Sequence, residues 1–300
     1  MKPKPLLLIS LFLLVCAVHG EGDDGLFSRL QGLRGMGVDF FNVDGIEITS
    51  HKIDAGFSAK NCAAKFSELG IKKKELTISD SLLAFKNFYV FKSQENPKGL
   101  FNNISYYFVE SPNKKLIAFT FRSLNKNDRE FERRFIGLVC NGAIPDSVYN
   151  SLDCEDVNFA GREIPLEEYS GRWMGVNNLQ CPSFGQMNWS VHKDMEDALS
   201  TVENQYVGIK ALEKRKIVSD TTVNVIFEGT EATARKVVYD FTGVRSSFLS
   251  MDGSGKLTIY FVAAPVRGNF VSCVMSFWKS DQVDPSGLSP LLEQVMKLKQ

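Results

Sequence analysis

"ISYYFVESP" (Ile104–Pro112) and "LTIYFVAAP" (Leu257–Pro265) carry Tyr, Phe, Val and Pro at the same four places. Each reads as a β-branched and aromatic strand that runs into a loop opened by proline. Tyr107 and Tyr260 stand 153 positions apart, and further matches stand at similar spacing upstream of them. "TSHKID" from Thr49 faces "SVHKDM" from Ser190 and aligns His51 with His192 at an offset of 141. "GIKKKELTISD" from Gly70 faces "GIKALEKRKIVSD" from Gly208, with Ser79–Asp80 against Ser219–Asp220 at an offset of 140. The matches are short but collinear, and they imply a tandem duplication.

The rise in offset places about thirteen extra residues in the second copy. "GTEATARKVVYDFTG" (Gly229–Gly243) fills that place, and its Thr230 cap and terminal glycine predict a helix. Each copy opens on a strand, Ile46–Ile53 or Gln186–His192. A helix follows, roughly Ser58–Leu69 or Asp194–Asn204, and then strands joined as hairpins. "AIPDSVYNSL" and "LSPLLEQVMKL" predict a closing helix in each. Runs such as "LIAFTF" lack polar alternation, so these strands should be covered on both faces or be central. The fold class expected is α+β: two tandem similar units with mainly antiparallel sheets. The divisions expected are a signal peptide (1–20), an N-terminal tail (21–44), a first repeat (45–152), a linker (153–184) and a second repeat (185–300).

Lys2 and Lys4 before the apolar run Leu6–Val18, with small Val18 and Gly20, predict cleavage before Glu21 and export, periplasmic or extracellular. Cys16 follows Val15 rather than a small residue, which disfavours lipidation. The remaining 280 residues hold 33 basic and 35 acidic side chains, so no nucleic-acid partner is expected. "GLFSRLQGLRGM" places Leu26, Leu30 and Leu33 at helical spacing; membrane contact is not expected unless this tail provides it.

Export permits disulfides. Cys154 and Cys181 lie in polar, irregular sequence and are the favoured pair, with Cys140–Cys154 as rival. Cys62 and Cys273 read as buried small hydrophobes. No CxxC, HExxH, P-loop or GxGxxG spacing occurs, so neither metal nor cofactor is expected. His51 and His192 are the two histidines beyond the signal, and Cys140 ends an apolar run read as a strand. These three are the catalytic candidates. Without catalytic spacing, the expected function is a non-enzymatic binding or structural module. Its unknown protein or small-molecule partner would sit between the repeats. The alternative is a secreted or periplasmic hydrolase that uses a histidine or a free cysteine.

Overall fold

The structure is a computed structural model that describes residues 23–211, 216–240 and 255–299. The signal segment, Cys16, most of "EKRK" (213–216), residues 241–243 and most of "DGSGK" (252–256) lie outside those residues.

The first sheet holds β1 (Gln31–Arg34), β2 (Val38–Val43), β3 (Ile46–Ile53), β4 (Asn87–Glu95), β5 (Phe101–Glu110), β6 (Leu116–Leu124) and β7 (Tyr149–Asn150). Its order is β4-β5-β6-β3-β2-β1-β7, antiparallel except for the short β1–β7 pair. A hairpin of β8 (Asp156–Phe159) and β9 (Arg162–Pro165) follows. The second sheet holds β10 (Arg172–Gly175), β11 (Asn178–Cys181), β12 (Gly185–His192), β13 (Lys216–Phe227), β14 (Thr230–Asp240), β15 (Lys256–Val266), β16 (Asn269–Trp278) and β17 (Met296–Leu298). Its order is β10-β11-β12-β16-β15-β14-β13-β17, antiparallel throughout. Five α-helices accompany the strands among the described residues: α1 (Asp23–Phe27), α2 (Ala59–Lys65), α3 (Arg129–Cys140), α4 (Met195–Lys210) and α5 (Pro290–Glu293).

The two sheets share one strand order. β4-β5-β6-β3-β2-β1 in the first corresponds to β14-β15-β16-β12-β11-β10 in the second. The chain is therefore an α+β protein of two similar, mainly antiparallel units. The register differs, however. From Tyr107 the ladder crosses to Phe119 and then Ser50. From Tyr260 it crosses to Met275 and then Met187. Matching the tyrosines therefore matches His51 with Asn188, and His192 lies farther along its strand. The expected equivalence of the two histidines does not hold, because a slide by an even number of residues keeps every side chain on its face.

Each sheet is covered on both faces, as its non-alternating runs require. In the first unit Phe41, Phe119 and Phe121 pack with Phe135 of α3, while Phe66, Phe108 and Leu116 pack beside α2. In the second, Phe159, Trp189, Phe227 and Leu291 fill one face, and Tyr206 of α4 packs with Tyr239 and Phe261 on the other.

Five further expectations are overturned. Residues 230–240 form strand β14, not a helix. Glu228 and Gly229 both take positive φ, 50° and 82°, the conformation of a tight hairpin turn. β14 is then paired on both sides, which overrides the helix-forming Ala, Arg and Lys of its sequence. The span 21–44 is not a tail: β1 and β2 lie in the first sheet, and Leu26, Leu30 and Leu33 are buried. The span 153–184 contains a packed hairpin and two strands of the second sheet, because Val157, Phe159, Ile164 and Leu179 are core. Cys140 ends a helix rather than a strand. Asp128 caps α3 by accepting from the Phe131 N–H at 3.0 Å, and the closing helix expected after Ala143 is a single short turn, Asp146–Val148.

Gln31 ties the units together. Its Oε1 accepts from Trp189 Nε1 at 2.5 Å, and its Nε2 donates to the Asn158 carbonyl at 2.7 Å. Gln31→Leu leaves a buried indole N–H and a carbonyl unsatisfied and should cost about 2 kcal/mol, read from the midpoint of urea unfolding. A loss below about 0.5 kcal/mol would show that the bridge is dispensable.

Candidate functional site: the cleft between the units

The site begins with a difference in helix length. Ser58 caps α2 and accepts from the Asn61 N–H at 3.1 Å. The helix ends after seven residues, where Phe66 leaves helical geometry, a short 3-10 turn follows, and Gly70 takes φ 65°. α2 covers Tyr106, Phe108, Leu116 and Ala118, so one end of that sheet face is left open. Across the open end runs a row of paired residues: Asn42 opposite Glu47, Glu47 opposite Arg122, Arg122 opposite Ile104. Asn102 and Leu124 pair on the same face beside this row. The counterpart helix α4 has sixteen residues and covers its own sheet. Its other side turns toward the open end of the first unit, where a Cβ on Gly208 would stand 3.6 Å from Leu100 Cδ2.

The units are joined at the β2–β3 turn. Asp44 and Gly45 have φ 50° and 73°, the left-handed pair that an Asp-Gly hairpin turn requires. The turn inserts into the second unit. The Asp44 N–H donates to the Val191 carbonyl at 2.9 Å, and the Gly45 N–H donates to Ser190 Oγ at 2.8 Å. The Lys193 N–H donates to Asp44 Oδ1 at 2.9 Å. A Cβ at Gly45 would lie 2.8 Å from Thr201 Oγ1, so the close approach and the positive φ both call for glycine. The Asp44 carboxylate takes a two-pronged bond from buried Arg29, at 3.1 and 3.2 Å. Lys126 reaches from the first unit to the Asp44 carbonyl at 3.1 Å and to Asp197 of α4 at 2.7 Å.

Two cavities flank this seam. One, of about 670 Å³, is walled by charged residues, and four of its basic side chains are paired: Arg29 with Asp44, Lys126 with Asp197, Arg129 with Asp80 and Arg134 with Asp23. The other, of about 350 Å³, is walled mostly by amides and hydroxyls from both units. Asn42, Asn102 and Ser123 stand on one side, and Asn188, Ser190, Thr201, Asn204 and Gln205 on the other. The Asn42 and Asn102 carboxamide oxygens are buried and accept no hydrogen bond from the protein.

The three catalytic candidates are not brought together. His192 is fully buried in the seam. Its Nε2 pairs with Ser272 Oγ at 2.8 Å, and its Nδ1 has no partner. Burial, with Lys126 nearby, holds its pKa down at about 4, so the ring is neutral at neutral pH. His51 is half-exposed on the α2 face, 3.9 Å from Glu68 and edge-on to Phe66. Cys140 ends α3 and packs against the core on the opposite sheet face, and burial pushes its thiol up to about 12. Asp44, His192 and Asp197 bring donor atoms within 4.8 Å of one another, yet Arg29 and Lys126 already neutralise both carboxylates. That cluster is an ion-pair network.

The expected disulfide does not form. Cys62, Cys140, Cys154, Cys181 and Cys273 are all free thiols. Cys154 and Cys181 are both buried against Gly171, and burial raises Cys154 and pushes Cys181 up to about 12. The sequence around them is polar, but the side chains turn into the second core. A thiol titration of the chain from Glu21 onward, without reductant, should therefore find all five reactive in guanidinium. In the native protein they should react roughly a hundredfold more slowly, because a raised pKa and burial both suppress thiolate attack. A shortfall in the denatured count would restore a bridge.

The residues that sequence reasoning missed are Asn42, Asn102, Asn204 and Gln205. A signal existed: Asn42, Asn102 and Asn188 stand inside strands, where asparagine is depleted. Among the described residues no helix is long and apolar enough to cross a membrane.

No protein-family model matches the chain. No curated protein matches it. A comparison with solved structures relates 88% of the chain to 76% of the di-domain ARO/CYC StfQ from the steffimycin biosynthetic pathway. The identity is 14% and the TM-score 0.16, too low for the likeness to carry any argument.

Proposed function

We propose that this chain is an exported, non-enzymatic binding protein whose ligand sits in the cleft between its two units. The observation that carries the reading is the cavity of about 350 Å³ to which both units contribute amide- and hydroxyl-bearing residues. Small-molecule sites collect at such interfaces, and their volumes start near this value, at about 300 Å³. The seam adds support. A turn held by backbone bonds and two ion pairs fixes the two walls relative to each other, so the cavity is preformed.

The hydrolase reading draws on the Ser272–His192 contact beside two carboxylates. It lacks the bond from the histidine's second nitrogen to an acid, and both residues are buried. A fluorophosphonate probe should therefore leave Ser272 unlabelled in the native protein. Stoichiometric labelling there would reverse the assignment in favour of the enzyme.

The direct test of the cleft is a fragment screen by ligand-observed NMR on the full chain and on Asn204→Trp, which places an indole in the cavity. Fragments that bind the first should lose contact with the second. Unchanged binding in Asn204→Trp would end the reading. Export rests on residues 1–20 and is tested separately, by whether they carry a reporter across a membrane.

A further inference from the structure

We infer that the cleft takes a neutral, hydroxyl-rich ligand, a saccharide in chemical class; this rests on the cleft being the binding site. Three observations lead there.

The first is the pair of carboxamide oxygens, Asn42 and Asn102, that accept nothing from the protein. Asn42 sits on β2 and Asn102 on β5, so they stand on either side of the β3–β6 pair. A buried acceptor without a donor is an energetic cost, and native proteins keep such groups where function requires them. What satisfies them must donate hydrogen bonds. Hydroxyls do so, whereas phosphates and carboxylates present acceptors.

The second is charge. Glu47 and Arg122 face each other directly across β3 and β6. Lys126, at the edge of the cavity, is taken by Asp197 at 2.7 Å. The walls therefore balance, and neither an anion nor a cation is favoured.

The third is the makeup of the opposite wall. Asn188, Asn204 and Gln205 carry both N–H donors and carbonyl acceptors, and Ser190 and Thr201 add hydroxyls. Groups of this kind pair with hydroxyls in either sense. Among the described lining residues Leu124 is the one large hydrophobe, and an apolar ligand would leave the Asn42 and Asn102 oxygens unpaired.

Asn102 supplies the decisive variant. Asn102→Leu keeps the branch and the number of side-chain heavy atoms and removes an oxygen that has no protein partner. The free protein should then unfold at an equal or higher urea concentration. Its affinity for the saccharide that binds the wild type should fall about tenfold or more. A merely structural asparagine would show the reverse, a lowered midpoint.

The experiment is calorimetry and ligand-observed NMR on the full chain with four probe sets. These are neutral mono- and disaccharides, sugar phosphates, aliphatic diamines and small aromatic fragments. The expected result is binding of a neutral saccharide, roughly tenfold weaker binding of its phosphate, and the Asn102→Leu signature above. If a charged or aromatic probe fills the cleft and is lost in Asn204→Trp while neutral sugars do not bind, this inference falls and the cleft reading stands. If Asn102→Leu lowers the unfolding midpoint, the inference also falls. If no probe set binds, or binding ignores Asn204→Trp, the cleft reading falls with it.

Discussion

Asp44→Ala should lose about 4 kcal/mol of stability, the largest effect of one substitution that we expect in the seam. Arg29 is 4% exposed and Asp44 14% exposed, and the guanidinium grips the carboxylate through both Nε and Nη2. Removing the carboxylate takes that counter-charge from a buried cation, and breaking such a pair from one side costs about 3–5 kcal/mol. The Lys193 N–H loses its acceptor at the same time. Asp44→Asn retains an acceptor and tolerates the positive φ of 50°, so it should lose roughly half as much. The double variant Arg29→Met with Asp44→Asn should recover most of the loss, because replacing both members of a buried pair is close to neutral. Guanidinium unfolding of the wild type and these three variants measures all of this. A loss under about 1 kcal/mol in Asp44→Ala would mean that the turn is held by its backbone bonds alone.

The second large effect is acid lability. His192 has a folded pKa of about 4, below the ordinary histidine value of 6.5, because burial penalises its cation. Between those values the unfolded chain binds a proton that the folded chain refuses. Stability therefore rises with pH across this window. The contribution is fully present above pH 6.5, shrinks as the pH falls, and is gone below about 4. The total is about 3 kcal/mol, since each tenfold change in proton affinity is worth roughly 1.4 kcal/mol. Lys126 and Arg29 oppose the cation while Asp197 and Asp194 favour it, and burial is the largest influence. His192→Gln cannot titrate and can still pair with Ser272. Its stability should stay level between pH 6.5 and 4, apart from losses common to both proteins. Those common losses come later in the titration. Arg235 holds Asp220 below the ordinary carboxylate range, and Arg133 and Arg129 hold Asp80 there against the opposing effect of its burial. Carboxylates held low lose their contribution only as the pH falls through the folded pKa. Parallel curves for wild type and His192→Gln would show that the ring does not control the seam.

Some of this was legible from local pattern. The strands around Tyr107 and Tyr260, the hairpins that follow them, the start of α2 at Ser58 and the α+β class all come from alternation, caps and turn residues. The strand asparagines were visible too, as polar residues where β-structure disfavours them. Other features were hidden for physical reasons. β14 has a helical composition and is a strand because neighbours pair it on both sides. Cys154 and Cys181 sit in polar sequence and point into a core assembled from distant segments.

Spacing along the chain sets which face a side chain takes, so the repeated strands could be read from the amino-acid order alone. It does not set how far one strand slides past another, nor how two units dock. Those choices depend on pairing energies between residues far apart in sequence. His192 was therefore expected to mirror His51 and instead lies in the seam under an inserted Asp-Gly turn. The cleft has the same origin. One wall comes from residues 42–126 and the other from residues 188–205, and it opens because α2 stops short where α4 does not.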